Sequence, residues 1–477
     1  MVDLALVHPG GGRRIYQGLS DDLSAIEPPL WARLIAGYCL DRGWSVKIID
    51  AEAEALPPDE VAAAALDARL VAIVAYGHQP SASTQSMATI TELTDALHRN
   101  GAMVIAVGGH VAALARRTME EESTDFACNG EGLETIHRLL GGDPLSAVPG
   151  LLWRDGEVFE NPPAPLADVA DLHGRAWDLL PSLGHYRAHN WQCLDGSPRS
   201  PYASVYTSLQ CPFRCAFCCI NAPFGGAGYR TREPGEVVAE IEYLAHAHGV
   251  RTFKLVDEMF VLKPSHYAPI CEGLAALPFA EDLNLWAYAR VDTVRPDRLA
   301  LLRRAGIRWL ALGIESGSAY VRDGALKSLE EADIVNTVRA IQAAGINVIG
   351  NFIFGLPDDT AESMQQTLAL ALALRCEFAN FYSAMAYPGS ALFRDADPGD
   401  LPAAWSGYSQ HSADCRPLPT RTLTSADVLR FRDAAHGRYF SDPRYLEFVD
   451  RRFGGRAVEM CRSIATPLHR DLLAGAA

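Results

Sequence analysis

The chain has 477 residues, 49% of them hydrophobic, and a formal net charge of −16. That length supports two or three separate cores, and the acidic balance disfavours a nucleic-acid surface, which needs a basic stripe. No run of about 18 apolar residues is present to span a bilayer, and the start MVDLALVHPGGG lacks a basic segment followed by an apolar one.

Residues 1–145 alternate short apolar runs with amphipathic stretches. Strands are expected at Leu4–Val7, Ser45–Ile49, Leu70–Ala75, Ala102–Val107 and Asp125–Ala127. Apolar residues spaced every three or four positions predict helices at Leu30–Arg42, Glu60–Leu66, Thr84–Arg99, Val111–Glu120 and Leu133–Leu140. This alternation implies an α/β fold with a doubly wound parallel sheet, whose ligands bind at the carboxyl ends of the strands. Those ends read His8-Pro9-Gly10-Gly11-Gly12, Asp50, Tyr76-Gly77-His78, Gly108-Gly109-His110 and Gly130-Glu131-Gly132. Glycines there permit close backbone approach to a flat or phosphorylated ligand, or simply make tight turns. His78 and His110 are expected to be loop histidines, and the polar run Pro80–Gln85 to cap the helix that follows.

Residues 146–200 form a connector, with a hairpin at Leu151–Phe159 turning on Asp155-Gly156. Trp177, Leu179 and Leu180 are expected to pack it onto the next domain. Residues 201–400 repeat the strand–helix alternation six times. The strands are Ala203–Ser208, Thr252–Val256, Leu283–Tyr288, Trp309–Gly313, Asn347–Phe354 and Phe378–Ala386. This predicts a partial (β/α)6 barrel with its chemistry at the carboxyl strand ends. Residues 401–477 form a small tail, with helices at Ser425–Tyr439 and Pro443–Phe453.

The most informative stretch follows the first barrel strand: Cys211-Pro212-Phe213-Arg214-Cys215-Ala216-Phe217-Cys218-Cys219. Three thiolates spaced C-x3-C-x2-C can hold three irons of a [4Fe–4S] cube and leave the fourth iron open to an exchangeable molecule. A zinc site would need a fourth ligand, and no matching pair follows downstream. The remaining cysteines of the 11 follow no disulfide framework, so a reducing cytoplasm is the expected home. Cys219 offers a second spacing, C-x3-C-x3-C; Cys218 is favoured because Phe217 then stands just before the third ligand.

This motif resembles the signature of the radical S-adenosylmethionine superfamily. The resemblance implies a reduced cluster that cleaves S-adenosylmethionine to a 5′-deoxyadenosyl radical, fed by an external electron donor. It also implies roles for the strand ends. The backbone of Phe217 meets the adenine, Glu258 the methionine ammonium, Arg290 the carboxylate through its guanidinium fork, and Glu315 in Gly313-Ile314-Glu315-Ser316-Gly317 the ribose or amino group. Asp257 and Glu258 are the candidate acid–base pair. Pro28-Pro29, Gly108-Gly109-His110 and Asn129-Gly130-Glu131-Gly132 make residues 1–145 similar to the cobalamin-binding domain that precedes many such barrels. The D-x-H-x-x-G motif of another cobalamin family is absent, and cobalamin itself is not favoured. Within the superfamily, the chain resembles most the radical diol dehydratases that deoxygenate aminoglycoside sugars. The resemblance implies a paromamine-like aminosugar substrate, loss of water from C3′ and a separate downstream reductase. The other branch it resembles is the cobalamin-dependent radical methyltransferases of natural-product assembly.

Overall fold

A computed structural model describes residues 1–77, 80–174 and 176–474. Strands β1 (Val2–His8), β2 (Val46–Asp50), β3 (Ala68–Val74), β4 (Val104–Val107) and β5 (Phe126–Cys128) pair in parallel, in the order β2-β1-β3-β4-β5. Successive side chains point to opposite faces, so β1 sends Leu4 and Leu6 to one core and Ala5 and Val7 to another. The helices Leu30–Leu40 and Leu133–Leu140 cover the first face; Pro58–Ala65 and Ile90–Arg99 cover the second. Strand order reverses between β1 and β3, which opens a crevice at their carboxyl ends.

The expected hairpin forms as β6 (Leu151–Asp155) and β7 (Glu157–Glu160), but it is not a free connector element. β6 pairs antiparallel with β5, Cys128 opposite Leu151, and makes the first sheet a mixed sheet of seven strands. Leu151 and Leu152 are buried by this pairing, which covers an edge that β5 would otherwise leave open. The helix expected at Thr84–Arg99 is broken into Pro80–Ser86, a short turn and Ile90–Arg99. That expected at Val111–Glu120 splits at Leu114, whose φ of −135° and ψ of 42° leave helical geometry.

The second domain contains β8 (Tyr202–Val205), a short antiparallel pair β9 (Ser208–Leu209) and β10 (Arg230–Thr231), then β11 (Thr252–Leu255), β12 (Asn284–Arg290), β13 (Ile307–Glu315), β14 (Asn347–Phe354) and β15 (Phe378–Ser383). Six of these form an open parallel sheet in the order β8-β11-β12-β13-β14-β15, the expected partial barrel. The connector closes its amino end. Gln192 Nε2 donates to the carbonyls of Phe253 and Asn284, both at 3.0 Å, and Trp309 Nε1 donates to the Gln192 carbonyl at 3.1 Å. Trp191 packs edge-on against Trp286 and Trp309. The tail packs beside β15 as the helices Ser425–Phe440, Pro443–Phe453 and Gly455–Ile464, the last not expected from the sequence.

Three buried ion pairs join the two domains. Glu27, ahead of the first long helix, receives Lys254 of β11 with both oxygens at 3.0 Å. Glu131, after β5, receives Arg230 of β10 at 2.5 Å. Arg33 lies 3.8 Å from Glu240, which also accepts from Arg232 at 2.6 Å and from Trp177 Nε1 at 2.8 Å. Removing one member of such a group strands the others in a low-dielectric interior. Glu240→Ala should therefore lower unfolding stability by about 3–5 kcal/mol, read as a fall in the denaturant midpoint. A loss under about 1 kcal/mol would show that Arg33 and Arg232 do not depend on this carboxylate.

Candidate active site

The cysteine loop is built from β8 and β11 outward. Asp257, buried just past the end of β11, accepts from Thr207 N at 2.6 Å, Thr207 Oγ1 at 2.5 Å and Ser208 Oγ at 2.6 Å. Both of its oxygens are thus committed to the segment that leads into Cys211. This makes it a support of the loop, in place of the open acid or base expected from the sequence. Asn221 clamps the loop from the far side: Cys211 N donates to its Oδ1 at 3.1 Å, and its Nδ2 donates to the Cys211 carbonyl at 2.9 Å. Cys218 N donates to the Cys215 carbonyl at 3.1 Å, which folds the third cysteine back toward the second.

Cys211, Cys215 and Cys218 act on one another electrostatically. Burial pushes the Cys211 thiol up to about 11 and Cys218 to about 12, and neighbouring thiolates and Glu258 push in the same direction. Of these three, Cys219 feels Cys218, its neighbour in the chain. It is buried in the wall, where a Cβ added to Gly389 would come within 3.6 Å of its own Cβ. Among the described residues, no group of three or more His, Cys, Asp or Glu side chains could hold a single metal ion. A cube takes one thiol per iron, so three spaced donors with a cationic neighbour fit it.

That neighbour is Arg290, at the end of β12, whose Nη1 lies 3.8 Å from Cys215 Sγ. Its guanidinium stacks on Phe213 at 3.9 Å and forks onto both oxygens of Asp292, each at 2.9 Å. The fork expected to receive a carboxylate is therefore already engaged by Asp292, a partner two residues along that the sequence reading missed.

Glu258 stands differently from its neighbour Asp257. Its Oε2 is buried with no hydrogen-bond partner among the described residues. Burial pushes its carboxyl from the usual 4.5 up to about 8, and Asp257 adds to the rise. An ammonium group beside it would satisfy both defects, so the donor set fits the expected role toward S-adenosylmethionine.

Glu315, at the end of β13, adopts a φ of +65° and pairs with buried Lys327 at 2.5 Å. Lys327 was not foreseen. Gly313 is required by this pair, since a Cβ there would meet Lys327 Nζ and Glu315 Oε1. Phe217 is half-buried and packs on Val321, Ile353 and Leu356, and its neighbour's amide, Ala216 N, donates to the Ala325 carbonyl at 3.2 Å.

A cavity of about 580 Å³ lies between the two domains, and none of the cysteines lines it. It runs from the carboxyl ends of β1 and β2, at His8–Gly12 and Glu52, into the barrel, where Lys254, Tyr288, Asn351 and Asn380 face it. The glycines of the first domain divide between two roles. Gly108, at φ +149°, lies so close to Ala75 that a Cβ would collide with its carbonyl oxygen at 2.0 Å, a purely structural need. Gly10 lies over Ala51 at the cavity rim. His110 is a core histidine, its ring held by Thr84 Oγ1 at 3.2 Å and packed on Trp405. His78 lies outside the described residues.

Residues 205–371 match the Radical SAM superfamily, and residues 18–140 match the B12 binding domain. The chain is 28% identical over 433 residues to an uncharacterized methyltransferase of Pyrococcus horikoshii, covering 88% of this chain and 89% of that protein. It is 25% identical over 407 residues to the anaerobic magnesium-protoporphyrin IX monomethyl ester cyclase of Cereibacter sphaeroides, covering 82% of this chain but only 63% of the cyclase. The radical S-adenosylmethionine methyltransferase TsrM from Kitasatospora setae, solved with cobalamin and a [4Fe–4S] cluster bound, superposes with a TM-score of 0.68 at 18% identity, covering 93% of this chain and 90% of that chain. The cobalamin-dependent S-adenosylmethionine radical enzyme OxsB, with aqua-cobalamin and S-adenosylmethionine bound, gives 0.66 at 13% identity, covering 97% and 72%. At those identities the structural likeness carries the fold. The expectation set cobalamin aside, and the match of residues 18–140 to a B12 binding domain reverses that preference. No helix among the described residues is long and apolar enough to cross a membrane.

Two outcomes test the site. Cys218→Ala should lose the cluster iron and its visible absorbance, whereas Cys219→Ala should keep both; the opposite result would exchange their roles. The Glu258 carboxyl, at about 8 when folded against 4.5 otherwise, gives the folded state the extra proton between those values. Its contribution is therefore full at low pH and is lost as the pH rises through about 8. Cluster-free wild type should lose stability relative to Glu258→Gln between about pH 5 and about pH 8; parallel unfolding midpoints would remove the assignment.

Proposed function

We propose that this chain, a radical S-adenosylmethionine enzyme with an N-terminal B12-binding domain, is a cobalamin-dependent methyltransferase that acts on a small molecule held in its barrel. The observation that carries this reading is the shared cavity. One chamber of about 580 Å³ opens on the strand ends of the first domain and on the lumen of the second. When bound, the [4Fe–4S] cluster and S-adenosylmethionine supply radical chemistry and cobalamin supplies methyl transfer.

The chain's own residues do the holding. Cys211, Cys215 and Cys218 take three irons, and Asp257 and Asn221 fix the loop that presents them. Glu258 pairs with the methionine ammonium, and Arg290 offers positive charge beside Cys215. Glu315 and Lys327 pair with each other at the end of β13. The glycine turn Gly10–Gly12 lets a flat corrinoid approach the ends of β1 and β2. Tyr288, Asn351 and Asn380 offer polar partners to the substrate from the barrel side. An external protein donor supplies the electron.

A second reading is radical dehydration of a paromamine-like aminosugar, with the keto product passed to a separate reductase. The amides of Asn351 and Asn380, linked at 2.9 Å, support it, because adjacent amides suit a ring bearing vicinal hydroxyls.

Protein produced with hydroxocobalamin present, then reconstituted and incubated anaerobically with S-adenosylmethionine, reductant and paromamine, separates the two. Bound corrinoid and S-adenosylhomocysteine formation support methyl transfer. Stoichiometric 5′-deoxyadenosine with loss of water from the sugar, in protein that binds no corrinoid, would replace it with the dehydratase.

A further inference from the structure

The tail builds one end of the cavity with an unusual concentration of nitrogen donors: Gln410, His411, Arg432 and His436 all line it, together with Asp433. Arg432 is anchored by Nε, which donates to the Phe381 carbonyl at 2.8 Å, and by Nη1, which donates to Asp433 at 2.6 Å. No bond from its Nη2 is found among the described residues. Behind it, Arg470 donates to the same Asp433 carboxylate at 2.9 and 3.1 Å, and to the carbonyls of Ser412 and Gln410 at 2.8 and 3.0 Å. Both arginine residues are 4% exposed. Two buried cations therefore share one anion, and one positive charge is left over. That excess belongs to the Arg432–Asp433–Arg470 cluster; of the other acidic groups of this chamber, Glu27 is paired with Lys254 and Glu52 accepts from Gly11 N at 2.9 Å.

The two imidazoles point the same way. His411 Nδ1 is buried without a hydrogen-bond partner among the described residues. Its ring centre lies 5.7 Å from that of Tyr16, and His436 packs on Phe440 at 4.9 Å. Burial and the neighbouring Arg432 and Arg470 hold both histidines well below their usual range. Each is a neutral ring with one N–H to donate. A buried excess cation beside unused donors is costly unless an anion completes it.

We infer that this corner is an anion subsite, which takes a carboxylate or phosphate group carried by the molecule bound in the cavity. It deepens the proposed reading by giving the substrate class an acidic substituent, and it rests on that reading for the cavity being the reaction chamber. The guanidinium of Arg432 faces the anion, and His411 and His436 donate to it. Asp433 keeps Arg432 in place. Arg470 is a positioning residue that acts through Asp433.

Calorimetric titration of the full chain with malonate and with inorganic phosphate, against chloride at matched ionic strength, tests the subsite. Wild type should bind both anions above the chloride control. Arg432→Gln and His436→Ala should each weaken binding at least tenfold. Arg432 ties down β15 by a hydrogen bond and His436 packs edge-on against Phe381 of the same strand, so circular dichroism must show each variant folded; His436, which holds β15 by no hydrogen bond among the described residues, carries the test if Arg432→Gln does not fold. Repeating the titration on protein loaded with hydroxocobalamin or with cobinamide, which lacks the nucleotide phosphate, identifies the source. Competition by the first alone assigns the anion to the corrinoid phosphate, and binding retained under both assigns it to the substrate; either supports the subsite. Wild-type heats equal to chloride, or binding undiminished in folded variants, would overturn it. Neither arm requires methyl transfer, so failure here is distinct from failure of the reaction.

Discussion

The joint between the two sheets is set by charge taken out of water in pairs, and the active site inherits its shape from that joint. Glu131 shows the connection most directly. It lies in Asn129-Gly130-Glu131-Gly132, a stretch whose sequence suggests a ligand turn, yet its carboxylate receives Arg230 and the amide of Ala167. Arg230 in turn donates to Gln210 Oε1 at 2.8 Å, one residue ahead of the first cluster cysteine. A chain of contacts therefore runs from the strand ends of the first domain to the cysteine loop of the second. Gln210 itself stands at φ +71°, and Gly228 packs beside it, where a Cβ would lie 2.9 Å from the Gln210 amide and push it aside. Buried pairs of this kind add little net stability compared with apolar packing, but they penalise any other arrangement of the same parts.

Two adjacent carboxylates illustrate how position decides role. Asp257 and Glu258 follow β11 and face different surroundings. Asp257 meets Thr207 and Ser208 and is saturated. Glu258 meets the thiols and keeps an unpartnered oxygen. Burial raises both carboxyls; at Asp257 the hydrogen bonds from Thr207 and Ser208 oppose the rise, and at Glu258 one oxygen has no such partner. The first residue is thus a scaffold and the second is the one able to respond to an arriving cation.

Local patterns were legible in the sequence. The period-two and period-3.6 runs located both sheets and most helices, because those signals depend only on neighbours in the chain. The cysteine spacing was legible for the same reason. Pairings across long separations were not. Lys254 and Glu27 lie 227 positions apart and Gln192 and Asn284 lie 92 apart, so nothing in either neighbourhood announces the other. Shorter misses had a different cause. Arg290 was read as free to fork onto a substrate carboxylate, but Asp292 two residues later reaches the same face. The hairpin at residues 151–160 was read correctly as a hairpin, yet its pairing with β5 follows from an exposed edge that only the folded sheet has.

The cavity explains why so many of its ionisable groups are neutralised or paired. Radical chemistry needs a chamber from which water and stray hydrogen donors are excluded, and a dry chamber makes every unpaired charge expensive. Lys254 is answered by Glu27 and stacked over Trp286 at 4.8 Å, while His189 lies flat on Trp191 and is held near 4 by burial. Along this wall the lining has been made electrically quiet. The tail corner at Arg432 departs from that pattern, because Arg432 and Arg470 share the one carboxylate of Asp433, and an unanswered charge in a dry wall is a cost that an arriving anion would remove.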